Sequence, residues 1–150
     1  MTRRLFAFVL CVAAGAPLVA QSADPVQELL DTASADCAAF ENGTFDAGAA
    51  VQEVDLDGEA PMDIIVDSAK FTCSSMASAY CGSGGCTLWT VVAGQTTQYQ
   101  ALGWQRITWE EEPILLIARD GGWCGGAGSQ LCYEAVNWSA GERLTLMPAN

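Results

Sequence analysis

The sequence contains no histidine, and only six of its 150 residues are Lys or Arg. The absence of histidine excludes Ser-His and Cys-His catalytic pairs and metal sites that use histidine. The scarcity of basic residues argues against nucleic acid or anionic membrane as a partner. No C-x-x-C motif is present, so the cysteine spacing does not match a thioredoxin-like or zinc-binding pattern. The sequence therefore indicates no identifiable reaction, and we expect a binding or structural protein rather than an enzyme.

The N-terminus follows the pattern of a secretion signal. Arg3 and Arg4 form a positively charged start, and residues 5–14 form an apolar stretch too short for a stable membrane anchor. Small residues at positions 20–23 suit a cleavage site. We therefore expect a signal peptide over residues 1–22 and a mature chain that is periplasmic or secreted.

The mature chain is predicted to be one strongly acidic domain over residues 23–150. Losing Arg3 and Arg4 from the six basic residues leaves four against 18 acidic ones, a net charge of −14. Residues 24–67 hold twelve of the carboxylates and no Lys or Arg. The electrostatic field of these carboxylates attracts cations and basic partners. The alternative is that the charge only keeps the protein soluble. Binding of a partner protein through this acidic face is therefore one alternative function. No later segment is apolar enough for a membrane helix, so we expect no membrane insertion after cleavage.

Six cysteines remain after the signal, which carries Cys11, is removed. An even set in an exported chain indicates a disulfide framework. Two pairs are separated by short loops rich in glycine, and closing them leaves one pair to tie the N-terminal region to the rest. The predicted disulfides are Cys37–Cys73, Cys81–Cys86 and Cys124–Cys132.

The order of the patterns predicts one helix followed by strands. Asp24 is a candidate helix cap before Pro25, and apolar residues recur at helical spacing until shortly before Asn42. Short runs rich in β-branched and aromatic residues follow, separated by turn signals, at 51–54, 63–66, 87–92, 98–109, 113–118, 131–138 and 143–147. This predicts an α+β fold in which the helix packs on a predominantly antiparallel β meander or small barrel, stapled by disulfides.

An acidic loop just before the second of these runs carries the most specific chemistry. Its carboxylates, Asp55, Asp57, Glu59 and Asp63, stand at positions 1, 3, 5 and 9 of nine residues. Alternate residues of a tight loop direct their side chains toward one centre, and Ca²⁺ takes six to eight hard oxygen ligands. The alternative is an acidic turn in which Asp55 and Asp57 accept hydrogen bonds from backbone amides.

This loop resembles the calcium loop of FG-GAP and VCBS-type repeats, D-x-D-G-D-G-x-x-D before an apolar strand. The resemblance covers about thirteen residues and implies one structural Ca²⁺ bound by the four carboxylates. Glu59 and Ala60 depart from the repeat, and the chain has a single copy, so a propeller is not implied. The order of helix, acidic loop and cysteine-rich hairpin also resembles small exported proteins of proteobacteria that have no assigned activity.

Five tryptophans suggest an aromatic surface for a glycan or a peptide. Trp123 is the candidate ligand-binding residue, because it adjoins Cys124 at a glycine-rich loop tip. Trp89, Trp104, Trp109 and Trp138 lie in predicted strands and are expected in the core. The predicted function is an exported binding or structural module of unknown ligand. The remaining alternative is a carboxylate-dependent hydrolase, with acids drawn from Glu110, Glu111, Glu112, Asp120 and Glu134.

Overall fold

The computed structural model describes residues 24–147 and confirms the predicted α+β class. One α-helix, α1 (Pro25–Ala39), precedes eleven strands in this part of the chain, and all paired strands are antiparallel. The strands form three sheets rather than a closed barrel over the described residues. The predicted signal peptide, residues 1–22, lies outside the described residues.

Helix α1 is capped as its sequence predicts. The Asp24 carboxylate accepts a hydrogen bond from the Val26 backbone N–H at 2.9 Å. Pro25 occupies the first helical position, where its missing N–H removes no helical hydrogen bond. The helix ends at Ala39, because the backbone of Phe40 is extended.

The strands build a small sheet, a central sheet and an outer sheet. They are β1 (Phe45–Asp46), β2 (Val51–Val54), β3 (Asp63–Asp67), β4 (Thr72–Cys73), β5 (Cys81–Gly82), β6 (Gly85–Val92), β7 (Gln95–Ala101), β8 (Gly103–Trp109), β9 (Glu112–Asp120), β10 (Leu131–Ser139) and β11 (Glu142–Leu146). β1 pairs with β4 in the small sheet. The central sheet runs β2-β3-β6-β5, with β7 paired to β6, and the outer sheet runs β11-β10-β9-β8.

The middle strands of the central sheet, β3 and β6, pack on both faces, and their successive side chains point to opposite sides. One face packs against the outer sheet in what we call the inter-sheet core: Leu56, Ile65, Leu88, Val92, Tyr99, Ala101, Leu115, Ile117, Val136 and Trp138. The other face packs against α1 and the small sheet in the helix-side core: Val26, Ala33, Ala50, Val66, Phe71 and Val91. The molecule therefore has three layers, with the central sheet in the middle.

The chain passes from the central to the outer sheet at Leu102. The sequence predicts a single strand over 98–109, but β7 ends at Ala101 and β8 begins at Gly103. The Leu102 backbone N–H donates to the Ala118 carbonyl at 2.8 Å, which fixes the junction. A continuous β-rich run thus supplies strands to two different sheets.

The three predicted disulfides are confirmed. Cys37–Cys73 ties α1 to β4 across a sequence separation of 36, Cys81–Cys86 crosses the β5–β6 pair, and Cys124–Cys132 joins a short 3₁₀ helix to β10. In the loop closed by Cys81–Cys86, Gly85 has φ +109°, and a Cβ there would lie 2.2 Å from the Ala101 carbonyl oxygen. Only glycine fits that position. Multiple disulfides fit an oxidising extracellular compartment.

Residues 24–147 include no helix with the length and apolar character needed to cross a membrane.

Candidate functional site

The acidic loop between β2 and β3 closes one end of the inter-sheet core. Asp63, at the start of β3, is buried, and its Oδ2 accepts a hydrogen bond from the Leu56 N–H at 2.9 Å. This bond holds Leu56 in the core with 1% of its surface exposed. Burial raises the pKa of the Asp63 carboxyl, opposed by the hydrogen bond from Leu56 and assisted by the Asp57 carboxylate. A carboxyl predicted to hold a metal therefore anchors the backbone of its own loop.

The other loop carboxylates also engage groups of the protein. Asp55 Oδ1 accepts from the Gly58 N–H at 2.7 Å, and its Oδ2 lies 3.0 Å from the Arg106 Nη2. Asp57 Oδ1 accepts from the Glu59 N–H at 2.9 Å, while the Glu59 side chain is exposed. These contacts match the acidic turn given above as the alternative.

The four predicted calcium ligands do not converge in this arrangement. Between residues 24 and 147, no group of three or more His, Cys, Asp or Glu side chains is placed to hold a metal ion. Calcium binding by Asp55, Asp57, Glu59 and Asp63 stays a prediction that requires direct titration.

Trp123 lies in the 3₁₀ helix Gly121–Cys124 and is 49% exposed. The Arg119 guanidinium lies 4.5 Å from its ring centroid, a cation-π distance. One side of the indole is thus occupied by a residue of the protein itself, and ligand binding by Trp123 stays a prediction. Trp109, predicted as core, is instead 65% exposed, because it ends β8 on the side of the outer sheet that faces away from the inter-sheet core.

Glu134, one of the candidate hydrolase carboxylates, is paired with Arg119 inside the protein. Both residues are buried, and the Arg119 Nε donates to Glu134 Oε2 at 2.7 Å. The Thr145 hydroxyl donates to the other carboxylate oxygen. A carboxylate held between a guanidinium and a hydroxyl is shielded from any substrate, so Glu134 has a structural role. Glu110, Glu111 and Glu112 are exposed at the turn between β8 and β9.

A groove between α1 and the central sheet is a candidate binding site with aromatic, aliphatic and acidic side chains in its lining. Its volume is about 480 Å³. Trp89 of β6 and Tyr80 form its aromatic side, and Leu29 of α1 contributes an aliphatic side chain. The Tyr80 hydroxyl donates to the Ala33 carbonyl at 2.8 Å, which joins this wall to the helix. We call this site the helix groove.

The helix groove is negatively charged. Two exposed carboxylates of α1, Glu28 and Asp36, line it, together with Thr32 between them. Burial raises the pKa of Tyr80, and the Asp36 carboxylate raises it further. The negative charge of Asp36 therefore acts on the aromatic side of the groove. No Lys or Arg lines the groove. Aromatic faces beside carboxylates suit a ligand with a positive charge and an apolar part.

Sequence reasoning missed the helix groove. The acidic side of the groove comes from Glu28 and Asp36, and the sequence places both on the one predicted helix. Trp89 follows more than 50 residues later, and the sequence predicted it as core. Nothing local in the sequence indicates that α1 leaves part of this side chain uncovered.

The fold and the three disulfides define a class: a small, disulfide-bonded α+β protein with two stacked antiparallel sheets and one covering helix. No protein-family profile, no curated protein and no solved structure matches the chain.

Proposed function

We propose that the protein is an exported binding module whose helix groove receives a positively charged, partly apolar segment of a partner protein. The observation that carries this proposal is the combination of Trp89, Tyr80 and Leu29 with the carboxylates of Glu28 and Asp36 in one groove. Lysine and arginine side chains present both an aliphatic stem and a cationic head, so they complement both parts of this lining.

The charge distribution supports the same partner. The acidic N-terminal region contributes α1, so a basic segment is attracted to this side of the molecule before it makes contact. The helix is joined to the body by the Cys37–Cys73 disulfide and by the Tyr80 hydrogen bond, so the groove needs little ordering when a ligand binds.

The experiment is fluorescence anisotropy with a labelled peptide of alternating lysine and leucine. Glu28→Gln/Asp36→Asn removes both groove carboxylates while preserving side-chain shape, and we expect it to weaken binding about fivefold, since each exposed ion pair contributes about 0.2–1 kcal/mol. The matched control is Asp31→Asn/Glu41→Gln, which changes net charge equally at exposed positions outside the groove. A peptide of alternating glutamate and leucine should not bind.

Two outcomes would contradict the proposal. If the wild-type protein shows no saturable binding of the basic peptide, the groove has no such ligand. If both double variants weaken binding equally, the peptide responds to net charge alone, and the groove is not its site.

Export to the periplasm or the medium is part of this proposal, supported by the three disulfides and by the signal pattern of residues 1–22. A structural calcium ion in the acidic loop is a separate prediction. It is supported by the sequence resemblance of residues 54–66 to a calcium loop.

A further inference from the structure

The outer sheet presents an uncovered apolar face to solvent. Residues that point away from the inter-sheet core include five large apolar side chains with 51–73% of their surface exposed: Trp109, Leu131, Tyr133, Leu144 and Leu146. Leu116 lies at the centre of this face, opposite Ala135 of β10. We call this surface the outer face. Among residues 24–147, no helix or third sheet packs on it.

The apolar area of the outer face lies in the upper part of the range found for the largest patch of a monomer. Its five most exposed side chains leave on the order of 500 Å² to solvent, taking about 150–250 Å² for a whole aromatic side chain and less for leucine. The largest apolar patch on a typical monomer is about 300–600 Å². The half-buried side chains between them bring the surface toward the roughly 800 Å² per partner of a stable interface. Two copies would bury roughly 1,000–1,600 Å² in total, which reaches from weak interfaces into the standard size class.

Charge is absent from the centre of the outer face. By strand alternation, its charged residues lie only at strand ends, at Glu112, Asp120 and Glu142. The twelve carboxylates of residues 24–67 lie on α1, β1, β2, β3 and their loops, none of which belongs to the outer sheet. Two copies joined through this face would keep their most acidic segments off the interface and bury no unpaired charge at its centre.

We propose that the outer face is the interface of a homodimer, formed by a second copy of the chain packed face to face about a two-fold axis. An apolar surface without charge at its centre can pack against a second copy of itself, as a two-fold interface requires. The outer sheets of the two copies would lie about 10 Å apart, the spacing of packed sheets. This interface is separate from the helix groove, so its test is independent of the proposed function.

The experiment is sedimentation velocity of the oxidised exported protein from 1 to about 100 μM, where we expect a dimer. Tyr133→Glu/Leu144→Glu places two carboxylates per copy on the apolar face, where dimerisation would bury them without partners. We expect this variant to raise the dissociation constant about 100-fold or more, because an unpaired buried charge costs several kcal/mol. The control for an added carboxylate outside the outer sheet is Val51→Glu, at a residue of β2 that is 40% exposed.

The outcomes separate the possible occupants of the face. A dimeric wild type and control with a monomeric, folded double variant supports the proposal. A wild type that is monomeric throughout overturns it, and flotation with phosphatidylcholine vesicles then shows whether lipid covers the face instead. A dimer that persists in the double variant also overturns it, because another surface must hold the copies together. Should the double variant fail to fold, Leu144→Glu alone is measured against Val51→Glu with the same criteria.

Discussion

The two sides of the central sheet are covered in different ways. In the inter-sheet core, six of the ten buried residues are at most 1% exposed. In the helix-side core, four of the six are 7–8% exposed, and Trp89 at its margin stays half-buried in the helix groove. A sheet covers another sheet completely, whereas one helix leaves an opening beside it. The difference indicates that the inter-sheet side is a rigid support and the helix side is where binding surface remains.

Removing the Cys37–Cys73 disulfide should have the largest effect, because it acts on the less completely covered side. We expect Cys37→Ala/Cys73→Ala to lower the free energy of unfolding by about 4 kcal/mol, from the loop-closure entropy of a separation of 36 residues. Urea denaturation measures this loss. Hydrogen exchange should locate it in α1 rather than in β9 and β10.

The matched control is Cys81→Ala/Cys86→Ala, which opens a loop with a sequence separation of five and should cost about 2 kcal/mol. If the control lowers the free energy of unfolding as much as Cys37→Ala/Cys73→Ala does, the Cys37–Cys73 disulfide does not set the stability of the helix side. Faster exchange spread evenly over all three layers would lead to the same conclusion.

On the inter-sheet side, the corresponding test is Asp63, whose buried carboxyl lies at one end of the core. We expect Asp63→Ala to cost about 1–3 kcal/mol, because it leaves the Leu56 N–H without its partner. Asp63→Asn keeps an acceptor oxygen, so it should cost less. Thermal unfolding of both variants at one pH measures the difference.

The pH dependence of Asp63→Asn has a defined sign. The folded pKa of Asp63 is raised above its ordinary value of 3.8, so ionisation destabilises the folded protein. The contribution of Asp63 to stability is complete below pH 3.8 and is lost as the pH rises through the folded pKa. Relative to the wild type, Asp63→Asn should therefore become more stable from pH 4 to pH 7. An unchanged difference between the two proteins over that range would show that Asp63 ionises as easily in the folded chain as in the unfolded one.

Calcium binding at the loop that joins β2 to β3 should give the smallest change in the free energy of unfolding. The resemblance to a calcium loop predicts that Ca²⁺ at about ten times its dissociation constant stabilises the protein by about 1.4 kcal/mol. This corresponds to a rise in melting temperature of about 5 °C for a domain of this size. Asp55→Asn/Asp57→Asn should not respond, although asparagine preserves the acceptors for the backbone amides. A wild type without any response identifies the loop as a hydrogen-bonded turn.

Much of the fold could be predicted from the sequence because its signals are local. The Asp24-Pro25 cap, the β-branched runs and the short cysteine spacings each depend on neighbouring residues. They match the structure, except that the run 98–109 is divided between β7 and β8. The strands β1, β4 and β5 were not predicted, because two residues are too few to show alternation. Trp109 was wrongly predicted as core, since its exposure depends on the absence of a layer above the outer sheet.

The candidate site was less predictable, because it depends on long-range packing. The acidic loop is conspicuous as a motif, yet its carboxylates are engaged with Leu56, Gly58 and Arg106. The contact with Arg106 spans 51 positions and cannot be anticipated from loop spacing. The helix groove likewise combines α1 with Trp89 from a distant strand. Local patterns therefore identified the elements but not the surfaces that form between them.

The junction at Leu102 limits how the chain can evolve. The side chains of β8 alternate between the inter-sheet core and the outer face, so one inserted residue would exchange the two sets. Trp104 and Arg106 would turn outward, away from Asp67 and Asp55, and their hydrogen bonds would be lost. A shift in the register of β8 would therefore disturb more contacts than a substitution of Leu102, whose side chain is 43% exposed. By contrast, a change in the length of the exposed loop of residues 125–130 would alter the ring closed by Cys124–Cys132 without exchanging the faces of a strand.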